Sequence, residues 1–216
     1  MLAAALVLLV ASTVGVVLKV RRDHEWAHGG DRMVVTVQTL LANPQSFRDA
    51  IAALGVPALE SSGLAQAQAV VAKVTWSGWM PDDGHFQLVA LDRRTSPPRV
   101  LAGDGGWTSV EVVGNPSGQL DSGWVSSYDN VLAEHYDWLA GLQARYDAVP
   151  FVTMSPGVLV PAKPSGTATV WFTVPESFPA LTDQSNIIIG MIYFAGPSLT
   201  GVTLEEHIRW ARRIHG

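Results

Sequence analysis

Apolar and polar positions along the chain follow three different patterns. Residues 1–18, MLAAALVLLVASTVGVVL, contain no ionisable side chain, and Ser12 and Thr13 are their only polar ones. Such a run is about 27 Å long as a helix, close to the thickness of a bilayer's hydrocarbon layer. It stops at Lys19-Val20-Arg21-Arg22. The pattern predicts one N-terminal transmembrane helix, a membrane anchor with a juxtamembrane extension over 1–28. A cleaved signal peptide fits less well, because no Lys or Arg precedes position 19. Lys19, Arg21 and Arg22 flank the span on one side only, so the positive-inside rule favours the cytoplasmic side for the rest of a single-pass protein.

The second pattern recurs at three and four. Asn43-Pro44 reads as a cap followed by proline at the first helical position, with Phe47, Ile51 and Leu54 on one face, predicting a helix over 44–54. Val131, Leu132, His135, Tyr136, Leu139, Leu142 and Tyr146 predict a second over 128–148, whose apolar face would cover a sheet. Thr203-Leu204-Glu205-Glu206 is a capping box, and Leu204, Ile208, Ala211 and Ile214 predict a third over 204–215. Its acidic start and its Arg209, Arg212 and Arg213 suit the helix dipole.

Alternation of period two marks the remainder. Residues 70–76 and 85–92 read as strands joined into an antiparallel hairpin. Residues 99–101 and 107–113 read as another pair around Gly103-Asp104-Gly105-Gly106, closed off by Asn115-Pro116-Ser117-Gly118. Residues 33–39 fit either a strand or a helix start. Further on, 158–160, 167–174 and the almost wholly apolar 187–194 complete the strands, and Gly190 suggests a bulge in the last. The expected fold is mainly β: an antiparallel β-sandwich or partly open barrel with accessory helices, forming a single globular domain over 33–216 behind the anchor.

Composition narrows the function classes. A formal charge of −5 with few lysines predicts no nucleic-acid partner, and the absence of cysteine removes disulfides, thiolate ligands and thiol nucleophiles. Eight tryptophans are many for 216 residues. Trp26, Trp79, Met80 and Trp210 are therefore candidate protein-interface anchors.

The stretch with recognisable chemistry is His24-Glu25-Trp26-Ala27-His28, a formal HExxH. On a helix His24 and His28 share a face and suit Zn²⁺ while Glu25 would activate a water. Candidate third ligands such as His85, Glu134, His135, Glu205, Glu206 and His207 carry no spacing signature of their own, and Gly29-Gly30 follow directly. No catalytic residue, metal or cofactor is assigned. The combination predicts a noncatalytic accessory or assembly subunit of a larger membrane protein complex, with larger integral membrane subunits and the lipid bilayer as partners. A zinc-dependent membrane-anchored hydrolase and a membrane-anchored ligand-binding or sensory domain are the two alternatives.

Overall fold

The computed structural model describes residues 2–43, 46, 49, 68–78, 84–101, 109–112, 115–119, 131–140, 157–174, 179–196 and 208–216. Among the described residues, ten strands form two open antiparallel sheets. In the first, β1 (Val34–Ala42) pairs with β2 (Ala69–Ser77), β2 with β8 (Gly166–Thr173), β8 with β5 (Ser109–Val112), and β5 with β6 (Asn115–Gln119). In the second, β10 (Ile208–His215) pairs with β9 (Ile187–Ala195), and β9 with β3 (Gly84–Asp92). The far side of β3 is shared by β7 (Gly157–Pro161) and the short β4 (Arg99–Val100).

Alternation explains how the sheets stack. Val70, Ala72, Val74 and Trp76 from β2 and Ala168, Val170 and Phe172 from β8 meet Phe86, Leu88, Ala90, Ile189, Met191 and Tyr193 of the second sheet in one buried cluster. The opposite residues of the second sheet, among them Val89, Leu91, Ile188, Ile192 and Phe194, form a second apolar layer. Trp26, Leu132 and Leu139 belong to that layer and cap it from outside. Trp26 comes from α1 (Leu2–His28), Leu132 from α2 (Val131–His135), and Leu139 from a 3-10 turn at Asp137–Leu139.

Several expectations need correction. Helix α1 runs without a break through Lys19, Arg21, Arg22 and Asp23, and among the described residues no helix is long and apolar enough to cross a membrane. The transmembrane anchor, the single-pass membrane localisation and its cytoplasmic orientation, the bilayer and the integral membrane subunits as partners all lose their basis with it. The reading of an accessory subunit of a membrane complex therefore falls, as does that of a membrane-anchored sensory domain. The fold is mainly β, as expected, but its two stacked antiparallel sheets are open and unclosed, so no barrel forms, and the anchor expected in front of them is not found among the described residues.

The 204–215 helix is also wrong over its described part, since residues 208–215 are a strand. Pairing with β9 overrides the helical spacing: Trp210 joins the layer between the sheets while Ile208 and Ala211 join the other, an arrangement set by a register shift between Ile208 and Trp210. The long helix over 128–148 shrinks, in its described part, to α2 and the 3-10 turn, interrupted at extended Tyr136. Its apolar residues nevertheless reach the expected target, because Leu132 and Leu139 are buried. The 44–54 helix lies almost wholly outside the described residues.

Both expected hairpins are replaced. β2 and β3 are successive but lie in different sheets, as do β4 and β5. The Asn115-Pro116-Ser117-Gly118 stretch, expected as a terminator, is part of β6 at the end of the strand order, where proline's missing N–H is tolerated.

Candidate functional site

The His24–His28 stretch occupies the last turns of α1, where it meets the sheet. Gly29 N donates to the Glu25 carbonyl at 2.7 Å and ends the helix, and Gly30 turns with a positive φ of 77°. Both glycines are required by packing. A Cβ on Gly29 would overlap the Trp210 indole, and one on Gly30 would stand 2.9 Å from the same ring. The indole of Trp26 stacks on His135 with centroids 4.4 Å apart and planes 10° from parallel. The Tyr136 hydroxyl donates to the Trp26 carbonyl at 2.5 Å and accepts from Ala211 N at 3.0 Å. From the other side Arg212 Nη1 donates to the carbonyls of Gly30 and Met33 at 2.9 and 2.7 Å. The end of α1 is thereby clamped between α2 and β10.

That clamp consumes two of the four interface candidates. Trp26 and Trp210 are buried within the chain itself, and Trp79 and Met80 lie outside the described residues. His24 and His28 point outward together, with ring centroids 4.8 Å apart, and His28 Nδ1 lies 3.1 Å from Asp31 Oδ2. Among the described residues no group of three His, Asp or Glu side chains is placed to hold a metal. Zinc-dependent hydrolysis through His24, Glu25 and His28 is therefore overturned, because the pair finds no third ligand there.

A different group stands out on β3. Phe86, Leu88 and Ala90 face the layer between the sheets, so His85 and Gln87 alternate onto the helix-covered face with Val89 and Leu91. Gln87 lies opposite Ile192 on one side and Leu159 on the other, and His85 opposite Phe194 and Pro161. Gln87 is fully buried, and neither its Nε2 nor its Oε1 has a hydrogen-bond partner among the described residues. The buried Nδ1 of His85 is likewise unpartnered among them. Burial, with a smaller contribution from the charge of Lys163, pushes the His85 pKa below its ordinary value, which favours the neutral ring. The sequence marks His85 only as one of several metal-ligand candidates and gives Gln87 no role. The signal available is a glutamine in the middle of Phe86-Gln87-Leu88, at a position facing a second apolar layer.

Several other polar side chains among the described residues are hydrogen-bonded. Asp92 accepts from Arg94 Nε at 2.9 Å and Nη2 at 2.7 Å, while the same guanidinium donates to the carbonyls of Pro179 and Ala180. Gln68 exchanges two hydrogen bonds with the backbone of Leu181. Thr39 donates to Gln184 Oε1 at 3.0 Å and lies 3.5 Å from His215 Nε2. These contacts fasten loops and termini to the sheets; the His85–Gln87 pair fastens nothing described. Comparison with protein-family models, with curated proteins and with solved structures gives no match for this chain.

Proposed function

We propose that the chain is a noncatalytic binding domain that holds a small uncharged molecule on the helix-covered face of the second sheet, through Gln87 and His85. One observation carries this reading: a fully buried carboxamide makes no hydrogen bond among the described residues. An unmade hydrogen bond at a buried polar group costs about 1–3 kcal/mol, whereas leucine or methionine in that apolar layer would carry no such cost. A glutamine kept there is well suited to a partner that brings its own donor and acceptor.

The chemistry selects the class of that partner. A carboxamide presents a donor and an acceptor side by side, and a neutral imidazole adds one of either kind. Residues two apart on a strand place their side chains roughly 7 Å from each other on one face, within reach of one small molecule. Amides, lactams and the edges of uncharged nucleobases match this set. An ion would be carried into an apolar layer at high desolvation cost.

The test is a thermal-shift series on the full chain with acetamide, N-methylacetamide and uracil as probes, beside acetate and methylammonium as charged controls. A rise in Tm with an uncharged probe, lost in Gln87→Leu, supports the reading. No rise with any probe, together with a Gln87→Leu chain more stable than the parent, rejects it.

A further inference from the structure

The exposed pair His24 and His28 takes no part in the face that carries Gln87. Residues four apart on a helix lie on one side, one turn above the other. Their ring centroids are 4.8 Å apart and the planes meet at 48°, so the rings are near neighbours that do not stack. That spacing has a chemical meaning. With a metal–nitrogen bond of about 2.0–2.1 Å and the bound nitrogen about 1.2 Å from the ring centre, two imidazoles about 90–110° apart on one ion have centroids about 4.5–5.4 Å apart. The two rings already stand at the separation of adjacent ligands.

Asp31 adds the support that a ligating histidine needs. Its Oδ2 lies 3.1 Å from His28 Nδ1. A carboxylate in that place holds the ring through Nδ1–H, fixes its orientation and leaves Nε2 as the atom that binds the ion. Backbone contacts hold the carboxylate there. Asp31 N donates to the His28 carbonyl at 3.2 Å, Met33 N donates to that of Gly30 at 2.9 Å, and Arg212 grips the carbonyls of Gly30 and Met33. The His28 and Asp31 side chains are 58% and 61% exposed, so an ion reaches them from solvent.

The donor set selects the ion. Two imidazoles are available, and among the described residues no third His, Asp or Glu is placed to join them. Structural zinc takes four protein ligands and catalytic zinc three, while calcium and magnesium require oxygen. Copper(II) binds nitrogen most strongly among the divalent first-row metals and accepts near-right-angled nitrogen and oxygen ligands. Arg21 lies one turn before His24 on the same side of α1 and opposes any cation, so a strong metal–nitrogen bond is needed there.

We propose that His24 and His28 chelate one copper(II) ion at the end of α1, with Asp31 as the positioning residue behind His28 and water in the remaining coordination positions. The site has no catalytic role, and it is independent of the Gln87 reading.

Copper(II) titration of the full chain, followed by calorimetry and electron paramagnetic resonance, tests this. The expected result is one tightly held ion per chain with two coupled nitrogens, and weaker binding of nickel, cobalt and zinc in its place. His24→Ala and His28→Ala should each abolish that ion, and Asp31→Asn should keep one ion per chain at an affinity about 10-fold lower or more. His215→Gln should change neither quantity, and circular dichroism checks that each variant is folded. The nitrogen count on the parent tests the proposal without any substitution. No tight ion, an adventitious ion only, seen as binding that survives both alanine variants, a loss on His215→Gln equal to that on His24→Ala, or an Asp31→Asn affinity equal to the parent's would each overturn the proposal.

Discussion

The Tyr136 hydroxyl donates to the carbonyl of Trp26, 110 positions earlier, and accepts the backbone N–H of Ala211. One side-chain atom thus joins α1, the segment after α2 and β10, and burial raises the pKa of the phenol, keeping it protonated and able to donate. Tyr136→Phe leaves that carbonyl and that N–H without the hydroxyl while changing little in shape. We expect a loss of about 1–3 kcal/mol on denaturant unfolding. Amide exchange should also speed up at Ala211 more than at β8, which lies in the other sheet. Uniform acceleration across both sheets would show that the contact has no local role.

Gly190 records a second long-range fit. A Cβ there would come within 2.5 Å of the Trp138 ring and 3.0 Å of Val89 Cγ2. Gly190→Ala should therefore destabilise the chain by about 1–3 kcal/mol through overpacking. Trp138→Leu on the same chain should recover part of that loss, and equal penalties in the single and double variants would disprove the contact.

This glycine also shows where sequence reading stops. The apolar run 187–194 identifies a doubly covered strand correctly, and its glycine suggests a bulge. β9 pairs with β3 in unbroken register, while on its β10 side the register shifts at the glycine, Arg213 lying opposite Gly190 and His215 opposite Ile189, and the glycine makes room for an indole. Period-two alternation locates β2, β3 and β8, and the continuous apolar run locates β9, because each has at least one buried face. Alternation mispairs β2 with β3 because it says which face is buried but not which strand lies alongside. Adjacency in sequence makes β2 and β3 look like neighbours, and they face each other across the core instead. At 208–215 helical and extended spacing compete, and the contacts of Trp210 and Arg212 decide for the strand. Gln87 carries no signal of its own because its burial depends on the second apolar layer, built by residues as distant as Trp26 and Leu139.

The clamp on α1 can be released at its base. Gly29 sits against the Trp210 indole so closely that even a methyl group displaces the ring. Gly29→Ala improves intrinsic helix propensity by about 1 kcal/mol, so a purely local view expects tighter structure. We expect the reverse: lower Tm, faster amide exchange through residues 24–33, and a changed tryptophan fluorescence. A variant with raised Tm and protected amides would show that Trp210 yields without cost.

The Asp92–Arg94 pair gives the chain an acid-sensitive lock. The Asp92 side chain is almost completely buried, and desolvation alone would raise its pKa; hydrogen bonds from the Arg94 side chain and backbone, with the charges of Arg94 and Arg99, outweigh burial and hold it below the ordinary 3.8. The sign follows from linkage. An aspartate whose folded pKa lies under its unfolded one binds fewer protons when folded, so its contribution is complete above the unfolded value and disappears as pH falls through the folded value. Protonation also weakens the hold on a guanidinium whose remaining donors secure the carbonyls of Pro179 and Ala180, so that segment should loosen first. Asp183 is depressed in the same direction, through its hydrogen bonds with Ser185. The informative quantity is therefore the difference between parent and Asp92→Asn. Urea unfolding at pH 7, 5, 3 and 2 should find the variant markedly weaker at pH 7 and 5, with the gap closing below about pH 4 as the parent's own carboxylate takes up a proton. A gap that stays constant down to pH 2 would mean that the carboxylate's charge contributes nothing to the lock.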